Sequence, residues 1–219
     1  MYNVFVKMGN WEVAAVTFNK NPMKDQPSEE KKLTWQQNVL LYVHDLIYLL
    51  AVIVVVFILA FRLVVVSGTS MYSTLWDGDW LLVLSNTIYR EPEYGDIIVV
   101  CKESFNDSEP IIKRVIATEG QTVDIDFVSG MVFVDGKMLD EDYTYTPTNQ
   151  DEGMEFPVTV EDGCVFALGD NRNNSLDSRY PAIGMIDKRE ILGKALFLFY
   201  PGTNEGRLNR DFDRIGAVN

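Results

Sequence analysis

Three stretches hold residue types with chemistry to offer. Ser70 lies in VVVSGTSMYSTLWDGDWLLV, residues 64–83, a serine-rich turn set directly behind a long apolar run. Lys113 lies inside the apolar stretch EPIIKRVIAT, and GDNRNNSLDSRYP, residues 169–181, is a run of polar and turn-forming residues between two β-type segments. A serine hydroxyl becomes a good nucleophile when a neighbouring base takes its proton, and lysine is such a base only where burial keeps its amine neutral. On a strand, Lys113 shares one face with Ile111 and Val115, surroundings that desolvate an ammonium. Arg114 has equally apolar neighbours on the other face, so periodicity does not choose between the faces, but a guanidinium stays protonated and is no base. Taken singly, the three stretches also read as a linker, a lysine snorkelling from a half-buried strand, and a solvated loop.

What the chain lacks narrows the chemistry further. His44 is the sole histidine. It stands near the inner end of the apolar run, about 39 Å from Ser70 along an ideal helix, so neither a Ser-His-Asp arrangement nor a two-histidine zinc site is available. The 169–181 stretch fails as a calcium loop: counted from Asp170, the third position is Arg172, the sixth Ser175 in place of glycine, and the twelfth Pro181 in place of glutamate. No metal or cofactor is expected. A net charge of −13 argues against a nucleic-acid partner, which so acidic a surface would repel. Cys101 and Cys164 have no metal-ligand spacing and read as two buried thiols; a bridge needs their strands to be neighbours.

The elements that must position these residues begin with an apolar run, LIYLLAVIVVVFILAFRLVVV, residues 46–66, broken by a single charge at Arg62. Its length matches a hydrocarbon layer of about 30 Å, which predicts one membrane-spanning helix over 46–66. Some 45 residues precede it, so the pattern is that of an anchor rather than a cleaved signal. Lys31 and Lys32 before the span, against Arg62 alone until Arg90, place residues 1–45 as a cytoplasmic tail and residues 67–219 outside. The stretch NPMKDQPSEEKK in that tail reads as flexible, and no function is assigned to it. Beyond Trp80 come short β-type runs, WLLVLS, DIIVV, PIIKRVIAT, TVDIDFV, MVFVDG, FPVTV, CVFALG and ILGKALFLFY, with turn pairs at Ser129-Gly130 and Asp135-Gly136. The expected fold is mainly β: one N-terminal transmembrane helix followed by an antiparallel β-sheet domain. Residues 138–156 are polar enough to be an excursion decorating that domain.

In order along the chain, Gly68-Thr69-Ser70-Met71 with Thr74-Leu75, then Gly95 to Val100, then Lys113 to Ile116, then Gly169-Asp170-Asn171-Arg172 through Ser175, Asp177, Ser178 and Arg179 resemble the successive boxes of bacterial type I signal peptidases. The resemblance covers the anchor and about Gly68 to Tyr200. It implies a membrane-anchored serine endopeptidase that cleaves signal peptides from exported preproteins after an Ala-x-Ala type site. Ser70 then looks like the nucleophile and Lys113 like the general base. Ser175 looks like the residue that orients the lysine amine, and Asp177 and Arg179 like a supporting ion pair. Asp170 and Arg172 are given a structural role beside the site. The Ser70 backbone N–H is the expected oxyanion donor, because Gly68, two residues earlier, has no hydroxyl. Met71, Leu75 and Trp76, with Trp80, are candidates for lipid or substrate contact. The implied partners are preproteins, the lipid bilayer and, transiently, the secretion machinery.

The chain departs from that family pattern at Ser73, where proline is usual, and at Thr118-Glu119-Gly120, where Leu-Pro-Gly is common. Both changes bear on substrate positioning rather than on the dyad. They motivate two rival readings: a protease dedicated to one precursor such as a pilin, and a catalytically silent anchored domain that binds peptides. Self-cleaving repressors use related Ser/Lys chemistry, but they carry a DNA-binding domain and no membrane span.

Overall fold

The computed structural model describes residues 34–102, 109–203 and 210–218. Of the expected tail, residues 1–45, residues 1–33 with Lys31 and Lys32 lie outside the described residues, and residues 35–45 belong to a helix. The chain divides into two units, Met1–Leu46 and Ile47–Asn219.

Helix α1 runs Trp35–Ala60, 26 residues of which only Ala60 is buried. At 1.5 Å per residue that is about 39 Å, long enough for a hydrocarbon layer of about 30 Å. The helix therefore starts and stops earlier than the 46–66 expected from hydropathy. Phe61–Val65 form strand β1 instead, paired antiparallel with β2, Trp80–Ser85, from Phe61↔Leu84 to Val65↔Trp80. Hydropathy alone does not separate these states: FRLVV is as apolar as the helix before it, and only a pairing partner nearly twenty residues later favours the strand.

The β region is an eight-stranded sheet and a four-stranded sheet. The larger uses β1, β2, β3 (Ile97–Val100), β4 (Ile111–Thr118), β9 (Cys164–Leu168), β10 (Ile186–Asp187), β11 (Ile191–Tyr200) and β12 (Gly216–Ala217). Its order is β1-β2-β11-β3-β4-β9-β10, with β12 pairing β11, and every pairing is antiparallel. The smaller sheet orders β7 (Lys137–Met138), β6 (Met131–Val134), β5 (Thr122–Asp126) and β8 (Val158–Thr159). Asp135 and Gly136, both with positive φ, close the β6–β7 hairpin where the sequence places a turn pair.

Strands β3 and β4 are central and covered on both faces, which is why they read as continuous Val/Ile runs. Ile97 and Val99 join one core with Met71, Leu75, Leu81 and Ile112. Ile98 and Val100, pointing the other way, join a second with Val115, Val165 and Ile186. A third core under the smaller sheet gathers Ile116, Val123, Val132 and Phe166. Burying each such side chain contributes about 1.5–3 kcal/mol, so the strands that carry the polar site are held by the apolar residues alternating with it. Cys101, just beyond the end of β3, and Cys164, the first residue of β9, are half-buried. The expectation of two buried thiols therefore gives way to two partly exposed ones, with no disulfide between them.

Candidate active site

Lys113 sits in the middle of β4, opposite Ile98, and is only 3% exposed. Its Nζ lies 2.9 Å from Ser70 Oγ and donates to the Ile112 carbonyl at 2.9 Å. Burial pushes the amine down to about 8, against smaller opposing pulls from Asp177 and Asp170. Ser70 follows Gly68, whose φ of +88° turns the chain out of β1 and whose N–H donates to Asp77. That bond engages the Gly68 amide, so Gly68 serves the turn rather than donating to an oxyanion. The Ser70 N–H has no acceptor among the described residues, which leaves it available as that donor.

The loop carrying Ser70 is pinned to the 169–179 stretch. Asn171 N–H donates to the Ser70 carbonyl, Asn171 Nδ2 to the Thr69 carbonyl, and Asn174 Nδ2 to Thr69 Oγ1. Thr74 Oγ1 donates to Asp170 Oδ2 at 2.5 Å. Gly169 is required by space: a methyl there would fall 2.2 Å from Ser175 Oγ and 2.6 Å from the Ser70 carbonyl oxygen.

Three ion pairs hold this stretch. Arg179 grips Asp177 in a fork, Nε to Oδ1 and Nη2 to Oδ2 at 2.8 Å each, with both side chains fully buried. Asp177 Oδ2 also accepts from the Gly169 N–H, so the fork sets the turn entering the site. Arg114, on the face of β4 opposite Lys113, pairs with Asp170 at 2.8–2.9 Å. The two faces of β4 are thereby told apart: one buries the Lys113 amine, the other a permanently charged strut. Arg172 pairs with Glu141 and with Thr148 Oγ1 at 2.7 Å, both from the 138–156 excursion. Arg179 Nη1 donates to the Gln150 carbonyl, and Asn173 Oδ1 accepts from the amides of Asn149 and Gln150. The excursion expected to decorate the domain is thus bolted to its site. Sequence offers no sign of this, because the partners lie 23 to 31 residues apart with no shared motif.

Ser175 differs from its expected role. Its buried Oγ makes no hydrogen bond among the described residues, and the lysine amine takes its direction from the Ile112 carbonyl. Met71 and Leu75 are each 1% exposed within the core, which excludes lipid contact for both. Trp76 is half-buried, its Nε1 donating to the Ser73 carbonyl and its ring covered by Arg214 at 3.9 Å. Asp79 and Arg214 are contributors that sequence reasoning missed; the GD pair after the serine turn was the available signal for the first.

Ser70 and Lys113 border an open cleft of about 440 Å³, lined also by Ser175, Ile111, Gln150 and Glu152 among others. A neutral lysine against a serine hydroxyl in a cleft is the equipment of acyl transfer. Comparison with known proteins agrees with that chemistry. The profile of the family described as "Signal peptidase, peptidase S26" matches residues 39–200, most of the chain. The chain belongs to this family.

Among relatives of this signal peptidase, the probable signal peptidase I-1 of Synechocystis sp. is 38% identical over 150 residues, 65% of this chain and 73% of that protein. Signal peptidase I S of Bacillus subtilis is 33% identical over 198 residues, covering 85% of this chain and its own full length. A crystal structure of a signal peptidase I from Enterococcus faecalis matches 48% of this chain and 96% of that one, at 29% identity and a TM-score of 0.39. The family consists of serine endopeptidases, and the Ser70–Lys113 contact of this member lies within the matched span.

Proposed function

We propose that this signal peptidase is a membrane-anchored endopeptidase that removes signal peptides from exported preproteins, with Ser70 as nucleophile and Lys113 as general base. The observation that carries the reading is the 2.9 Å contact between a buried lysine amine and the hydroxyl of Ser70 in an open cleft. In its neutral form Lys113 accepts the Ser70 proton as Oγ attacks the scissile carbonyl. The developing oxyanion is met by the Ser70 N–H. The lysine ammonium then passes its proton to the departing amine, leaving an acyl-enzyme on Ser70. A water molecule, deprotonated by the same amine, attacks that ester and regenerates the serine. Ser175, an unengaged hydroxyl on the same cleft, is the proposed acceptor for the ammonium while it exists.

Helix α1 supplies the proposed anchor, with residues before it cytoplasmic and the β region outside. Ser70 follows Ala60, the last helical residue, by only ten positions. A signal peptide embeds its own apolar helix, so enzyme and scissile bond are held at similar depth and the encounter becomes a search in a plane.

Cleavage of a model preprotein bearing an Ala-x-Ala site by the full chain in detergent tests the reading. Wild type is expected to release the mature product. Ser70→Ala and Lys113→Ala are expected to lose about 10⁴-fold or more in rate while keeping the wild-type circular dichroism spectrum. Undiminished cleavage by either variant would overturn the assignment.

A further inference from the structure

Within the residues lining the cleft, the charges are few. Lys113 is the only cation and is committed as the base, and Glu152 is the only carboxylate. The other acids of this region are engaged: Asp177 with Arg179, Asp170 with Arg114, Glu141 with Arg172. Glu152 is half-buried and has no ion pair or hydrogen bond among the described residues. Its backbone is held on both sides. Arg179 Nη1 donates to the Gln150 carbonyl before it, Asp151 Oδ1 accepts from the Gly153 N–H, and the Met154 N–H donates to the Arg179 carbonyl after it. That anchoring fixes where the Glu152 backbone stands at the edge of the cleft, and its carboxylate reaches from there.

An unpaired carboxylate on a fixed backbone at a peptide-binding cleft discriminates by charge. It attracts a lysine or arginine side chain of the bound peptide and repels an aspartate or glutamate, and partial removal of water strengthens both effects. We infer that Glu152 is a specificity-determining residue that favours precursors with a basic side chain beside the scissile bond and disfavours acidic ones. The inference rests on the proteolytic reading of Ser70 and Lys113, and it adds a substrate class to that reading. Specificity here is a difference between substrates, with the repelled class contributing as much as the attracted one.

The test uses the full chain in detergent and a parent peptide carrying an Ala-x-Ala site. Its variants place Lys, Gln or Glu at the middle position of that motif or at each of the three positions after the cleaved bond. At one or more of these positions kcat/KM for Lys is expected to exceed that for Glu by about fivefold, the upper range for partly solvated ion pairs. That ratio is expected to shrink with added salt, to collapse to near one in Glu152→Gln, and to invert in Glu152→Lys. Cleavage of all peptides without charge preference, or a preference that both variants retain, overturns the role of Glu152 and leaves the protease reading standing. Failure of wild type to cleave even the parent peptide overturns both.

Discussion

At the scale of single residues, the proposed chemistry turns on one proton at Lys113. Its amine is pushed down to about 8 from an ordinary 10.5 by burial. The neutral fraction, and with it kcat/KM on a peptide substrate, is expected to climb about tenfold per unit at acid pH and level off above about 8. A rate that stays flat from pH 5 to 9 would remove Lys113 from the role of base. The same shift has a consequence for stability, with the following sign. Between about pH 8 and 10.5 the unfolded chain holds a proton on Lys113 that the folded chain has lost, so stability rises with pH across that window. Below it the ammonium is charged in both states and its burial is a cost. Lys113→Met, which fills the same space without the charge, is expected to be more stable than wild type at pH 6 while inactive, by urea unfolding.

At the scale of elements, the site depends on segments remote in sequence that clamp the nucleophile turn. One clamp is the 169–179 stretch and another is the C-terminal segment, which β12 ties to β11 through Phe197↔Ala217 and Leu198↔Gly216. From there Arg214 reaches back to the turn, pairing with buried Asp79 at 2.7 Å, donating to the Thr74 carbonyl and covering Trp76. Arg214 lies beyond the 39–200 span that matches the family. Truncating it leaves the Asp79 carboxylate buried without its cation, though the amides of Trp76 and Gly202 still donate to it. Arg214→Ala is expected to cost about 3 kcal/mol in denaturant unfolding, with Arg214→Lys recovering part of it because the ammonium restores charge but not the fork. A loss below about 0.5 kcal/mol would show that the other contacts of the turn suffice.

At the scale of the whole molecule, one long apolar helix precedes, in chain order, the β region that carries every group of the candidate site. The proposed topology is testable directly. In intact spheroplasts, protease added outside is expected to degrade the β region and spare an epitope placed at the N-terminus; the reverse pattern would invert the orientation. Because β1 begins at Phe61, immediately after Ala60, a truncation meant to preserve the β region must stop before Phe61, and one placed at 66 removes the edge strand of the larger sheet.

Much of this was legible in the residues themselves. The Val/Ile runs announce buried antiparallel strands, the Asp135-Gly136 pair a tight hairpin, and a lysine within an apolar run a desolvated amine, because alternation, turn chemistry and desolvation are local properties. The structure alone supplied what holds each charged neighbour on β4: Arg114 is taken up by Asp170, the Gly95 carbonyl and the Tyr143 ring, while Lys113 faces Ser70 Oγ. It alone turned FRLVV from helix to strand, gave the 138–156 excursion its place against Arg172 and Arg179, and left Ser175 off the lysine amine. Each of those outcomes is a contact between residues far apart in the chain, and the energy of such a contact is absent from any local pattern until folding brings its partners together.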